Sequence, residues 1–103
     1  MPNYVVELYR PSSDAETLRR VADRLAAGAR HASGEGTPVR YVDTIFLPGD
    51  ETCLHVFEAG SEEDVRAVAR RAGIDVDRVV PAEQIEPRDE SVWLQGPETE
   101  ASR

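Results

Sequence analysis

The chain has 103 residues and a formal net charge of -8 at pH 7, a balance that excludes a phosphate-backbone binder and argues against an anionic membrane surface, since both need clustered cations. All twelve basic residues are arginine, which rules out a Schiff-base or P-loop lysine. Hydrophobic residues make up 40% and charged residues 31%, so the chain reads as one ordinary globular domain.

From the N-terminus, "NYVVELYR" alternates as a β-strand, with Tyr4, Val6 and Leu8 on one face and Val5, Glu7 and Tyr9 on the other. "PSS" ends it, and Ser13 with Glu16 has the spacing of a capping box for a first helix. Leu18, Val21, Ala22, Leu25, Ala29 and Ala32 follow at helical spacing, until "SGEGTP" breaks the pattern. "VRYVDTIFL" and "TCLHVFEA" are two further β-rich runs, joined by a "PGDE" turn bent at Pro48 and Gly49 into a hairpin. Ser61 caps a second helix whose Glu62, Glu63 and Asp64 suit the positive end of its dipole. Its stripe is Val65, Val68, Ala69 and Ala72, and Gly73 stops it. "DRVVPAEQIE" is a fourth strand, and Pro81 places it at a sheet edge, because proline cannot donate to a ladder.

The order β-α-β-β-α-β defines an α+β, ferredoxin-like domain over residues 1–86. Right-handed crossovers put both helices on one face of a four-stranded antiparallel sheet, in the order 4-1-3-2. Residues 87–103 form a polar tail, except that Val92, Trp93 and Leu94 are apolar enough to dock on the domain or on a second subunit. No run approaches the roughly 20 apolar residues of a membrane span. "MPNYVVELYR" has neither the basic start nor the apolar core of a signal peptide. A cytoplasmic location is expected, and the single cysteine, which has no internal disulfide partner, agrees with it.

With the helices on one side, the other sheet face becomes informative. The aliphatic alternation of Tyr4, Val6, Leu8, Leu54 and Val56 is expected under the helices. That leaves Glu7, Tyr9, Cys53, His55 and Phe57 on the open face, with Tyr41 nearby, as candidates to line a ligand pocket. Two such faces brought together make a dimeric α/β barrel, a homodimer with cavities for small ligands. Glu7 is costly on a half-buried face unless paired, and Arg40 or Tyr41 is its expected partner. Cys53 and His55 are able to ligate a soft or borderline metal, but two ligands are not a site. Glu7, Glu58 or a second subunit must add to them. Read without a ligand, the same two residues are core filling. His31, at the end of the first helix, suits the dipole there.

Beyond these signals, "YVVELYRP", "GTPVRYVDTIFLPGDETCLHVFEAGSEEDVRAVARRAGI" and "DRVVPAEQIE" together resemble a group of small bacterial proteins related to a nickel-binding, ferredoxin-like family. The resemblance spans about residues 3–86. It implies a dimeric fold and a divalent metal such as nickel, with His55 as the one ligand carried over. Three function classes follow: a small-molecule or metal-ion binding protein, a cofactor-independent enzyme (monooxygenase, isomerase or cyclase) with Glu7 or His55 as acid or base, and an assembly subunit.

Overall fold

The computed structural model describes residues 1–88. The expectation that Val92, Trp93 and Leu94 dock falls outside the described residues. Element order is β1 (Asn3–Tyr9), α1 (Ala15–Gly34), β2 (Val39–Leu47), β3 (Thr52–Ala59), α2 (Glu62–Arg71) and β4 (Arg78–Ala82). All pairings are antiparallel, in the order β2-β3-β1-β4. This is the ferredoxin-like βαββαβ arrangement expected from the sequence. Pro81 sits on the β4 edge, opposite Tyr4.

Local chemistry explains most of the boundaries. Asp14, not Ser13, caps α1, its Oδ1 accepting from the Thr17 N–H at 2.8 Å. The capping box fails because Glu16 turns outward to Arg19 and Arg20. Ser61 caps α2 as expected, accepting from the Asp64 N–H at 3.2 Å. In the β2–β3 turn the left-handed residue is Glu51 (φ 50°), not Gly49. The strand read from Asp77 to Glu86 is five residues long and stops at Ala82.

The core lies between the sheet and the helices. Leu18, Val21, Leu25, Ala29 and Ala32 of α1 and Val65, Val68 and Ala69 of α2 are buried. Beneath them lie Val6, Leu8, Val39, Cys53, His55, Phe57, Ala59 and Val79. Gly28 lets the helices approach, since a Cβ there would stand 3.1 Å from a Val68 methyl.

The register corrects the expected faces of β3. Val6 pairs with His55, Leu8 with Cys53 and Tyr4 with Phe57. Directly paired residues share a face. Cys53, His55 and Phe57 therefore lie under the helices, while Leu54 and Val56 lie on the open face with Val5, Glu7 and Tyr9. β1 faces as expected; β3 is reversed. The aliphatic pattern misleads because both sheet faces carry apolar side chains.

Candidate functional site

The helix side of the sheet carries a polar chain of side chains within an apolar core. Tyr41 Oη is hydrogen-bonded to Thr44 Oγ1. Thr44 Oγ1 lies 2.8 Å from His55 Nδ1. Residues three apart cannot share a face of a regular strand. They do so here because β2 bulges: Tyr41 pairs with Phe57 and Asp43 with Val56, leaving Val42 unpaired between them. Thr44 then falls opposite His55 on the same inner face as Tyr41.

His55 is 0% exposed, and its Nε2 has no hydrogen-bond partner among the described residues. Burial is the main cause that pulls its pKa down, to about 4, with the Arg10 charge adding to the effect. The imidazole is therefore neutral at pH 7. Either tautomer satisfies Nδ1 through Thr44, and each leaves Nε2 unmatched, as a donor or as an acceptor. Tyr41 is half-buried, and desolvation, with the Asp43 charge next, pushes its phenol up to about 12. Its ring stands edge-on to Phe57 at 5.5 Å and tilted to His55 at 6.5 Å. Cys53 is buried opposite Leu8 and Phe46, and burial raises its pKa, so it is a thiol that packs rather than a nucleophile.

The expected pocket is thereby divided. Tyr41, Cys53, His55 and Phe57 come together under the helices. Glu7 and Tyr9 lie on the far side of the sheet and cannot join them. Glu7 faces Arg78 of β4 at 3.9 Å, because β3 separates β1 from β2. Arg40 instead pairs with Glu58 at 2.9 Å. That ion pair takes up the carboxylate expected to help Cys53 and His55 hold a metal. His31 is exposed, 3.9 Å from Glu35.

Sequence reading also missed a groove of about 680 Å³ between α1 and β2. Ala26, Ala29, Pro38, Val39 and Tyr41 give it an apolar wall, with Met1, Arg30, Ser33 and Arg40 completing the lining. Ser33 Oγ ties α1 to β2 beside it, donating to the Val39 carbonyl at 2.7 Å and accepting from the Val39 N–H at 3.1 Å. Tyr41 is shared: it lines the groove, and its hydroxyl starts the chain to His55. The alternation in "VRYVDTIFL" gave no sign of the groove, because the groove depends on how α1 packs against β2 and not on the strand pattern.

Fold and site together define a ferredoxin-like α+β domain with an apolar groove, lined in part by arginine and backed by a buried histidine. The chain belongs to the family described as "Nickel responsive protein SCO4226-like", whose model matches residues 4–81. A similar solved structure is that of SCO4226 from Streptomyces coelicolor A3(2), with a TM-score of 0.66 and 17% identity. The match covers 82% of this chain and 99% of that one, and at this identity it shows the shared fold. Among the curated proteins, none matches.

The family description makes nickel the metal to test against these residues. Nickel takes several nitrogen, sulfur or oxygen donors in a defined geometry. His55 Nε2 is a buried nitrogen without a partner, and Cys53 is two residues away. Yet among the described residues no three of His, Cys, Asp and Glu gather to hold a metal ion. A second subunit meeting the open face would be separated from His55 by the sheet. The residues present do not fit a nickel centre within one chain.

Proposed function

We propose that the protein is a small-molecule-binding, cytoplasmic homodimer, with its ligand held in the groove between α1 and β2. The observation that carries this reading is the groove itself, with an apolar wall and with Tyr41, Arg30 and Arg40 among its lining residues. Its volume falls within the roughly 300–1,000 Å³ of ligand pockets. Arg40 is engaged by Glu58, whereas Arg30 forms no ion pair among the described residues. The chemistry matches an apolar or aromatic body bearing one anionic group. The Tyr41–Thr44–His55 chain holds the tyrosine ring in place from behind. The groove lining brings apolar surface, cations and a hydroxyl, and these are groups that bind rather than transfer protons at neutral pH. This favours the binding reading over the enzyme reading.

The open face of the sheet serves the dimer. It carries Val5, Leu54, Val56 and Val80, with Ile45 and Leu47 exposed beyond them. Apolar surface in one patch of a soluble domain marks a contact site. Glu7 and Tyr9 belong to this interface and not to the ligand groove.

Titration calorimetry with anilinonaphthalene sulfonate, an aromatic anion, tests the groove. Saturable binding is expected, weakened at least tenfold by Ala26→Glu. Binding unaffected by that substitution overturns the reading. The same calorimetry with nickel, zinc and copper tests the metal alternative. A saturable isotherm abolished by His55→Ala would replace the small-molecule reading with a metal-ion one.

A further inference from the structure

Away from the groove, α1 and α2 form a second concave surface, a cleft of about 350 Å³. Its charge is unlike that of the rest of the chain. Arg24 and His31 of α1 and Arg71 at the end of α2 line it, with Ala27, Gly28 and Ala72, and among the described residues no carboxylate does. In a chain with 20 acidic and 12 basic residues, that is a local excess of donors. Helical spacing keeps the cleft apart from the groove. Positions 24, 27, 28 and 31 lie on one stripe of α1, and positions 26, 29, 30 and 33 on another.

Two glycines build this cleft. Gly28 lets α1 and α2 approach, which brings basic side chains of both helices together. Arg24 donates through Nη2 to the Ala72 carbonyl, one of the acceptors that a helix end leaves open. It fits there because the next residue is Gly73. A Cβ at 73 would stand 2.9 Å from that nitrogen, and a φ of 73° also favours glycine. The guanidinium is thus held in place, and no carboxylate pairs with it among the described residues. A guanidinium has five N–H donors, so the bond to Ala72 leaves most of the fork unspent.

A carboxylate already stands beside the cleft. Glu35, the C-cap of α1, accepts from Arg71 Nη1 at 2.5 Å and lies 3.9 Å from His31 Nε2. The Arg71 hydrogen bond, and then its charge, hold the Glu35 carboxyl below its ordinary range, so the position favours an anion. The pair is half exposed, at 49% for Arg71 and 55% for Glu35. Exposed pairs contribute little, so a better acceptor can displace this one. Phosphate is such an acceptor, with close to two charges, several acceptor oxygens and a geometry that matches the arginine fork. Three basic groups suit a single phosphate, whereas a nucleic-acid backbone needs a track of them.

We propose that the α1–α2 cleft binds one phosphate group, free or on a small monoester, with Arg24, His31 and Arg71 as its donors and Glu35 as the carboxylate it displaces. The site does not depend on the groove being a ligand site.

Titration calorimetry of the full chain with inorganic phosphate and with glycerol 2-phosphate, at fixed ionic strength, tests this. Saturable binding of one phosphate per chain is expected. Arg71→Gln and Arg24→Gln, checked for retained fold by circular dichroism, are expected to weaken it at least tenfold. Arg19→Gln removes the same charge from the far side of α1's first turns, where Arg19 pairs with Glu16, and is expected to change nothing. Glu35→Gln is expected to tighten binding several-fold, an effect that a purely structural Glu35–Arg71 pair does not produce. Tighter binding of the monoester identifies an ester as the ligand, and equal or weaker binding identifies the free anion. The absence of saturable binding in both the unsubstituted chain and Glu35→Gln overturns the proposal. So does binding that survives Arg71→Gln, or that Arg19→Gln weakens as much, which would reduce the effect to net charge. Weaker binding in Glu35→Gln would make Glu35 a support of the cleft and overturn its displacement.

Discussion

His55 is the residue at which folding and chemistry pull hardest against each other. Its ring fills core volume between Val6 and Thr44, but the imidazole keeps an unmatched Nε2. A buried polar atom without a partner costs about 1–3 kcal/mol. Its depressed pKa also makes stability depend on pH. Between the folded value of about 4 and the ordinary 6.5, the unfolded chain binds the proton and the folded chain does not. Stability therefore rises with pH across that window: this contribution is complete above about 6.5 and falls away as acid approaches 4. The full span is on the order of 3 kcal/mol. His55→Phe, which keeps a ring but cannot titrate, is expected to flatten the stability profile between pH 4 and 6.5 in urea unfolding. An equally steep profile in that variant would assign the acid sensitivity to other groups. Of this residue the sequence showed the chemistry but not the side. Cys53 and His55 were rightly read as sharing a face; that the face was the core required knowing which residues of β1 they oppose.

Among the elements, β2 was the least legible in one respect. Its span, Val39–Leu47, matches the β-rich run, as does Thr52–Ala59 for β3, because turn and loop residues bracket both. The helices were legible for a similar reason, their apolar stripes being regular and their stops marked by Gly34 or Gly73. The bulge was not, since Val42 is an ordinary strand residue. Yet the bulge decides which β2 side chains meet the core. With Val42 set aside, Tyr41, Thr44 and Phe46 face inward and Asp43, Ile45 and Leu47 face outward. Deleting Val42 leaves that alternation intact and is expected to cost only about 1–2 kcal/mol, the size of an ordinary substitution. Deleting Ile45 instead turns Phe46 outward and Leu47 inward, and is expected to cost clearly more. Thermal unfolding of the two deletions compares them; equal losses would mean that the bulge does not set the faces.

At the scale of the molecule, one sheet face is covered by helices and the other, among the described residues, by none, and a 103-residue chain gains much from covering it. The strand order was legible because handedness leaves few alternatives, and the helix side of β1 because its aliphatic face, with Val6 and Leu8, is the buried one. The groove was not, since it depends on how far α1 stands off β2, a distance set by Ser33 and by small residues such as Ala26 and Ala29. Val56→Glu places a charge at the centre of the open face, opposite Val5. It is expected to convert a dimer into a monomer on sedimentation, with the far-UV spectrum unchanged. If Val56→Glu sediments as the unsubstituted chain does, the face is not the interface.

Val42 has one more consequence, for how the chain is compared with its relatives. Where a relative's second strand runs without a bulge, a gapless superposition of the two sequences will be in phase up to Tyr41 and out of phase from Asp43 to Leu47. It would then match Thr44 with a solvent-side position and Ile45 with a core one. A single gap at position 42 restores the phase, and the residue aligned with Thr44 then shows whether the hydroxyl behind His55 belongs to the family or to this chain alone.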